Sequence, residues 1–445
     1  MTQKKYFGTD GIRGRAGESP ITAEFMLALG RAAGSVLTTK QRAVVVIGKD
    51  TRISGYMLES ALEAGLVSAG ADVRLLGPMP TPAVAYLTRQ LGASAGVVIS
   101  ASHNPYWDNG IKFFDGNGEK LADETEFAIE REIEAHAPSQ TSDSIGKAER
   151  VDDAPERYEK FCRDAVPGLD LSDLHIVLDC AHGATYHIAP ELFASLGARV
   201  EAIGVTPDGL NINRDCGATH PAALQAAVRE HNADIGIAFD GDGDRVQMID
   251  EHGALADGDD LLYVLACDRK ARGVLRGPIV GTLMTNFGVE RAIAELGVEF
   301  VRANVGDRYV LQQLKQRGGV LGGEASGHLL ALDVGPTGDG IVSALLVLDA
   351  LKRLGVSLAE ARSNLRRVSQ VTINLPMAGG AALIAKSHVQ AARASVEKTL
   401  QGRGRVVLRA SGTEPLIRVT VEGEDATEVR ALADSLAVAV KSGMD

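Results

Sequence analysis

Asp240-Gly241-Asp242-Gly243-Asp244 is the densest piece of chemistry in the chain: three carboxylates set two residues apart, with glycines between them. The preceding Asp234-Ile235-Gly236-Ile237-Ala238 reads as a strand running into Phe239. The aspartates therefore fall at a strand's C-terminal edge, where open α/β folds place their ligands. Glycine between them lets the backbone curl until the oxygens converge, and only a cation offsets the repulsion. Hard oxygen donors point to Mg²⁺ or Ca²⁺, so Asp240, Asp242 and Asp244 are the candidate metal ligands.

Three other readings of this loop compete. An EF-hand would use Glu251 as its twelfth residue, but its sixth, which must be glycine, is Arg245, and a strand stands where a helix is required. A haloacid-dehalogenase-type phosphatase, with Asp240 as nucleophile and Asp242 as acid, fits D-x-D-G after a strand and stays open on these residues alone. The third is a plain surface turn.

Three more loops carry chemistry. Val97-Val98-Ile99-Ser100-Ala101-Ser102-His103-Asn104-Pro105 ends a strand in small residues and is followed by Asn109-Gly110-Ile111-Lys112. Pro105 favours an extended Asn104, which stiffens the loop. A serine hydroxyl needs a base or charged partner to become a nucleophile. Residues two apart on a strand share a face, so Ser100 and Ser102 are not separated here. Gly322-Gly323-Glu324-Ala325-Ser326-Gly327-His328 offers a carboxylate, a hydroxyl and an imidazole on flexible backbone, as a polyol site would. An ordinary glycine-rich turn has the same composition. Arg409-Ala410-Ser411-Gly412-Thr413-Glu414-Pro415, with Arg418 beyond, combines exposed N–H groups, hydroxyls and guanidinium, the parts of a phosphate clamp. Gly11-Ile12-Arg13-Gly14-Arg15 and Lys49-Asp50-Thr51-Arg52 are read as further local positive charge.

The elements that must position these loops repeat. Ala69-Gly70-Ala71-Asp72-Val73, Leu196-Gly197-Ala198-Arg199-Val200 and Leu296-Gly297-Val298-Glu299-Phe300 each close a helix on glycine and open a strand. Upstream of each runs an apolar strand: Ala43–Ile47, Ile176–Leu178 and Pro278–Val280. The preferred reading is three tandem α/β domains related by duplication; the alternative is one large domain with chance likenesses. Polar residues 136–156 read as a linker, and Asp250-Glu251-His252-Gly253 as a second break. Past Arg367 the pattern changes to a strand over Val368–Leu375, one helix over Leu383–Gln401, strands at Val406–Leu408 and Ile417–Val421, and a helix from Ala426. The expected boundaries are 1–150, 151–254, 255–367 and a smaller α+β domain at 368–445.

Composition limits the function. At 445 residues, the chain has room for about three domains. Lys plus Arg 46 against Asp plus Glu 58 leaves −12, which argues against nucleic acid or an anionic membrane as partner. Cys162, Cys180, Cys216 and Cys267 form no disulfide framework. With no apolar run of membrane-spanning length and no apolar stretch behind Met1–Gly8, a cytoplasmic protein is expected.

The serine, triple-aspartate, Gly-Glu-x-Ser-Gly-His and C-terminal phosphate loops occur in that order, one per expected domain. In this the chain resembles the α-D-phosphohexomutase family over its whole length. Tyr6-Phe7-Gly8-Thr9-Asp10-Gly11-Ile12-Arg13-Gly14, Thr337-Gly338-Asp339-Gly340-Ile341 and Arg409–Arg418 are similar to the branch acting on amino sugars. Ala325 stands where that branch has a larger polar residue.

The resemblance implies three duplicated α/β domains with mixed sheets plus the smaller α+β domain, around a central cleft. It implies an isomerase interconverting glucosamine 6-phosphate and glucosamine 1-phosphate for cell-wall UDP-N-acetylglucosamine. Ser102 would carry the phosphoryl group and join Asp240, Asp242 and Asp244 on Mg²⁺. Lys112, Arg245 and His328 would be the other catalytic residues. Arg13, Glu324, Ser326, Arg409, Ser411, Gly412, Thr413 and Arg418 would bind substrate. Glucosamine 1,6-bisphosphate or glucose 1,6-bisphosphate would serve as intermediate or activator, the partner is a small phosphosugar, and a homodimer is compatible. Sister mutases of mannose or glucose phosphates are the alternatives. A non-catalytic sugar-phosphate sensor is a third, against which the intact serine and metal motifs argue.

Overall fold

The computed structural model describes all residues except 1–3, 9, 39–41, 137, 377–379, 411–415 and 443–445. Its strands form four sheets. The first contains β1 (Ile12–Arg15), β2 (Val44–Lys49), β3 (Asp72–Pro78), β4 (Ala95–Ile99), β5 (Asp108–Asp115) and β6 (Ala148–Arg150), in the order β1-β5-β4-β2-β3-β6. The second contains β7 (His175–Asp179), β8 (Arg199–Ile203), β9 (Ile235–Phe239), β10 (Val246–Ile249) and β11 (Leu255–Ala256), in the order β11-β10-β9-β7-β8. The third contains β12 (Ile279–Thr282), β13 (Phe300–Ala303), β14 (Leu321–Gly323) and β15 (Leu329–Ala331), in the order β13-β12-β14-β15.

These three sheets repeat one topology. In each, the first strand lies between the second and third and is parallel to both: β2 between β3 and β4, β7 between β8 and β9, β12 between β13 and β14. Parallel neighbours require a crossover, supplied between first and second strands by the helices Ile53–Ser68, Ile188–Ser195 and Phe287–Glu295. Each helix ends before a glycine in the left-handed region, Gly70 at φ 91°, Gly197 at φ 100° and Gly297 at φ 69°. That is the helix stop the repeated Gly signals. An antiparallel strand then follows the third one: β5, β10 or β15. Sheet order reverses beside each first strand, and the crevice at such a switch point is where α/β sheets hold ligands. The serine, aspartate and Glu324 loops all leave the carboxyl end of the third strand.

The fourth sheet is antiparallel: β16 (Ser369–Pro376), β18 (Leu416–Gly423) and β17 (Gly404–Ala410), in that order. Its helix Ala426–Lys441 buries Val429, Ala433, Leu436 and Val440 against the strands in a separate apolar cluster. The first three units instead share one continuous core, running from Val46 and Met79 through Ile176 and Phe239 to Ile279 and the buried helix Gly340–Leu354. The single helix expected over Leu383–Gln401 is two, Gly380–Ile384 and Ser387–Leu400, because Lys386 turns to extended backbone at ψ 140°. Nor is 136–156 purely a linker: Ala148–Arg150 extends the first sheet as β6, parallel to β3, and a helix starts at Ala154.

Candidate active site

β9 is buried along its whole length, and the chain leaves it directly into Asp240. Gly241 is required there: a Cβ would lie 2.6 Å from both the Ser102 carbonyl oxygen and Asn213 Nδ2. Its absence lets the loop after β4 approach until Ser102 Oγ donates a 2.6 Å hydrogen bond to Asp240 Oδ2. Asp242 Oδ2 accepts from Thr81 Oγ1 at 2.6 Å and from Lys112 Nζ, on β5, at 2.8 Å. Asp244 Oδ2 lies 3.6 Å from Lys112 Nζ and 3.7 Å from His328 Nδ1.

Ser100 and Ser102 do not share a face. Ser102 has left the strand and sits at φ 52°. Ser100 Oγ donates 2.5 Å to Asp50 Oδ2 and accepts from the Ser102 amide at 2.9 Å, so Ser100 supports the loop while Ser102 faces Asp240. The loop's rigidity comes from Arg52, which is wholly buried. Its guanidinium donates to Asp50 Oδ2 and to the carbonyls of Ser102, Asn104, Pro105 and Asp108. Asn213 Nδ2 adds bonds to the Ser102 and Asn104 carbonyls at 2.9 and 3.2 Å. Lys49 is likewise buried and paired with Glu59. The segment 49–52 therefore contributes internal bracing and not the free positive charge expected of it.

A cavity of about 460 Å³ opens over this junction, lined among others by Arg13, Ser102, Asp244, Arg245, Glu324 and His328. Glu324 Oε1 accepts from the Gly306 amide at 2.8 Å, and Arg13 pairs with Asp10. Ser326 belongs to the same loop as Glu324, but its hydroxyl is buried without a hydrogen-bond partner among the described residues and does not line the cavity. Arg409 and Arg418 face each other across β17 and β18, outside the residues lining this cavity. Burial, then the nearby Arg418 charge, depresses the Arg409 pKa. Two guanidiniums held side by side favour an anion between them. Ser411, Gly412 and Thr413 lie outside the described residues.

The charges are strongly interdependent. Burial, reinforced by Asp244 and Asp242, pushes the Asp240 carboxyl well above the usual range. Burial would also raise Asp244, but Lys112, His328 and Arg245 outweigh it and hold that carboxyl well below. Against the opposing effect of burial, Asp10 and Asp242 hold Lys112 up, and Asp244 and Asp307 hold His328 up at about 9. The donor set fits a divalent ion. Oxygens of Asp240, Asp242 and Asp244 lie within 4.8 Å of one another. Asp242 Oδ1 and Asp244 Oδ1 are buried with no hydrogen-bond partner among the described residues, and a cation would satisfy them.

Composition and spacing do not single out Asp10, Thr81 or Asn213, and they mark Asp50 only as part of a charged segment; Thr81 and Asn213 find their partners far away in the chain. Only the family-like segment Tyr6–Gly14 pointed towards Asp10.

The fold and site together define a class. Models for phosphoglucomutase/phosphomannomutase alpha/beta/alpha domains I, II and III match residues 4–140, 159–253 and 257–368, and that for the C-terminal domain matches 373–439. The chain belongs to this family and is an enzyme of the phosphohexomutase class. It is similar to phosphoglucosamine mutases of Pseudomonas syringae, at 58% identity covering 98% of each chain, and Xanthomonas campestris, at 59% covering 99% of each. A phosphoglucomutase/phosphomannomutase family protein of Burkholderia thailandensis superposes with TM-score 0.83 at 25% identity, covering 100% of this chain and 98% of that one. An Aspergillus fumigatus N-acetylphosphoglucosamine mutase, solved with GlcNAc-6P and magnesium, shares the fold at TM-score 0.67 and 19% identity, covering 100% and 96%. Among the described residues no helix is long and apolar enough to cross a membrane.

Proposed function

We propose that the chain interconverts glucosamine 6-phosphate and glucosamine 1-phosphate, passing a phosphoryl group between Ser102 and the sugar through glucosamine 1,6-bisphosphate. The observation that carries this reading is the 2.6 Å contact between Ser102 Oγ and Asp240 Oδ2 at the floor of the cleft.

Phosphoserine carries about −1.5 to −2 charges at neutral pH. Magnesium held by Asp240, Asp242, Asp244 and an oxygen on Ser102 would neutralise charge on the transferring group. The chain's own part is to orient and to move protons. As the bond from Ser102 Oγ to phosphorus breaks, a sugar hydroxyl oxygen bonds phosphorus and gives up its proton, and the serine oxygen gains one. Lys112 or His328, both held protonated at neutral pH, gives its proton to the departing serine oxygen and, once neutral, takes up the proton the sugar hydroxyl releases, so the group ends as it began and the reverse direction uses the same exchange. Arg245 and Arg13 face the same space with charge for the phosphoryl oxygens.

The bisphosphate turns around in the cleft, so one clamp must hold whichever phosphate is not reacting. Arg409, Ser411, Gly412, Thr413 and Arg418 suit that part, while Glu324 and Ser326 suit the sugar hydroxyls. The clamp sits in a domain with its own core, which can close against water and open for release. Glucosamine 1,6-bisphosphate or glucose 1,6-bisphosphate would recharge an enzyme that lost its phosphate. We divide the chain at 150, 254 and 367. The enzyme is assigned to the cytoplasm, in keeping with four free cysteines.

Turnover measured on glucosamine, glucose and mannose 6-phosphates, with Mg²⁺ and bisphosphate present, tests the reading. The highest kcat/KM is expected on glucosamine 6-phosphate, by about a hundredfold or more where the site pairs with the amino group. Equal or better turnover on another sugar would reassign the substrate. No turnover on any of the three would overturn the reading.

A further inference from the structure

Six charged side chains form a closed ring of alternating sign beside the cleft. Lys112 Nζ lies 3.5 Å from Asp10 Oδ2, and Asp10 Oδ1 lies 2.8 Å from Lys120 Nζ. Lys120 Nζ lies 2.8 Å from Asp307 Oδ2, which is 3.7 Å from His328 Nε2. His328 Nδ1 is 3.7 Å from Asp244 Oδ2, and that oxygen is 3.6 Å from Lys112 Nζ, closing the circuit. The ring draws Lys112, Asp10 and Lys120 from the first sheet's unit, Asp244 from the second, and Asp307 and His328 from the third. Its two catalytic candidates, Lys112 and His328, are joined both through Asp244 and through Asp10, Lys120 and Asp307.

We propose that Lys120 is a positioning residue for phosphoryl transfer: by pairing Asp10 with Asp307 it fixes the spacing of Lys112 and His328 across the junction of the first and third units. The proposal rests on the reading that the cleft at Ser102 transfers phosphoryl groups. Lys120 does not line that cleft. It lines a second cavity of about 410 Å³ on the far side of Asp307, so it acts through its neighbours and not on substrate.

Removing Lys120 leaves Asp10 and Asp307 as like charges in the same partly buried space. Their repulsion drives one towards Lys112 and the other towards His328, displacing both from their places beside Asp242 and Asp244. Two exposed pairs, Arg308 with Asp123 and Lys315 with Glu119, still tie the first unit to the third. The large shared apolar core also remains, so the units stay docked.

The cavity beside Lys120 makes the test specific, because a small amine can enter it. Steady-state kinetics are measured for Lys120→Ala, Lys120→Arg, Asp307→Asn and the Lys120→Ala/Asp307→Asn double variant, on whichever of the three 6-phosphates wild type turns over best. Lys120→Ala should lose about ten- to a hundredfold in kcat, the cost of a misplacement near 1 Å, with KM within about threefold and an unchanged melting temperature. Lys120→Arg should recover most of the loss. Ethylammonium should raise kcat of Lys120→Ala several-fold, whereas tetramethylammonium, which cannot hydrogen-bond, should not. The double variant should be no worse than the poorer single one, since both break the same link. A Lys120→Ala kcat within about twofold of wild type overturns the proposal. So does a loss that follows the melting temperature, or one that neither arginine nor ethylammonium recovers. Wild type inactive on all three sugars overturns the phosphoryl-transfer reading and the positioning role with it, whereas active wild type beside an unaffected variant overturns the positioning role alone.

Discussion

Ser102 Oγ donates its hydrogen bond to Asp240 Oδ2 from the loop after β4 to the loop after β9, so the two residues meet from equivalent ends of two duplicated units. The third unit sends His328 to Asp244 from its corresponding loop. One chemical centre is thus built from three copies of the same strand end. A hydroxyl pressed against a carboxylate loop has little use as mere structure, because two buried oxygens of that loop have no hydrogen-bond donor among the described residues.

Neutralising one carboxylate should reveal that deficit as a metal requirement. Asp242→Asn should bind Mg²⁺ more weakly by well over the ~10–100-fold typical of outer-sphere changes and lose nearly all turnover, while its circular dichroism is unchanged. Excess EDTA should silence wild type and added Mg²⁺ restore it. Full activity in EDTA would exclude the metal.

Arg52 should behave as the brace of the serine loop. Arg52→Met leaves the buried Asp50 without its counter-charge and takes a donor from each of four carbonyls, which costs about 3–5 kcal/mol, read as a lower urea midpoint at unchanged slope. Arg52→Lys should recover little, because an ammonium cannot reproduce the planar fork that reaches them all. A stability loss under about 1 kcal/mol for either would remove the bracing role.

Asp339 should impose a pH dependence on folding. Its carboxylate caps the helix Gly340–Leu354 and accepts from Tyr158 Oη at 2.9 Å on both oxygens. Burial raises its pKa to about 6. Between its ordinary value near 4 and 6, the folded chain holds a proton the unfolded chain has lost, so this group's favourable contribution is complete below about pH 4 and fades as pH rises through 6. Asp339→Asn, which keeps an acceptor for the cap, should gain about 3 kcal/mol relative to wild type across that window. Denaturant titrations at several pH values measure the difference, and parallel curves would contradict it.

Arg418→Ala tests the distal clamp. Losing a hydrogen bond to a charged group costs about 1.5–3 kcal/mol, hence about ten- to a hundredfold in kcat/KM, mostly through KM. The loss should be alike in both directions of the reaction, with Mg²⁺ affinity unchanged. Normal KM in both directions would show that the phosphate is held elsewhere.

What was legible in the chain was local. Gly70, Gly197 and Gly297 announce helix stops because left-handed backbone favours glycine, and the loops at strand ends follow from short runs of apolar residues. Long-range partners were not legible. Lys120 and Asp307 are 187 residues apart, and neither belongs to a motif. Ser100 and Ser102 looked alike because alternation places them on one face, and only the backbone turn at Ser102 and the distant Asp50 tell them apart. Arg52 looked like charge for an anion, yet four carbonyls from elsewhere in the first unit claim it. The helix around Lys386 has no breaker, and its interruption is backbone geometry that propensity does not encode.

The most direct test of phosphoryl transfer through serine is to map the phosphate on the protein after incubation with glucose 1,6-bisphosphate and Mg²⁺. The account predicts one acid-stable phosphoester, on Ser102, lost in Ser102→Ala together with turnover by several orders of magnitude. A hydroxylamine-labile acyl phosphate on Asp240, or a phosphate on Ser100 with Ser102→Ala still active, would contradict it.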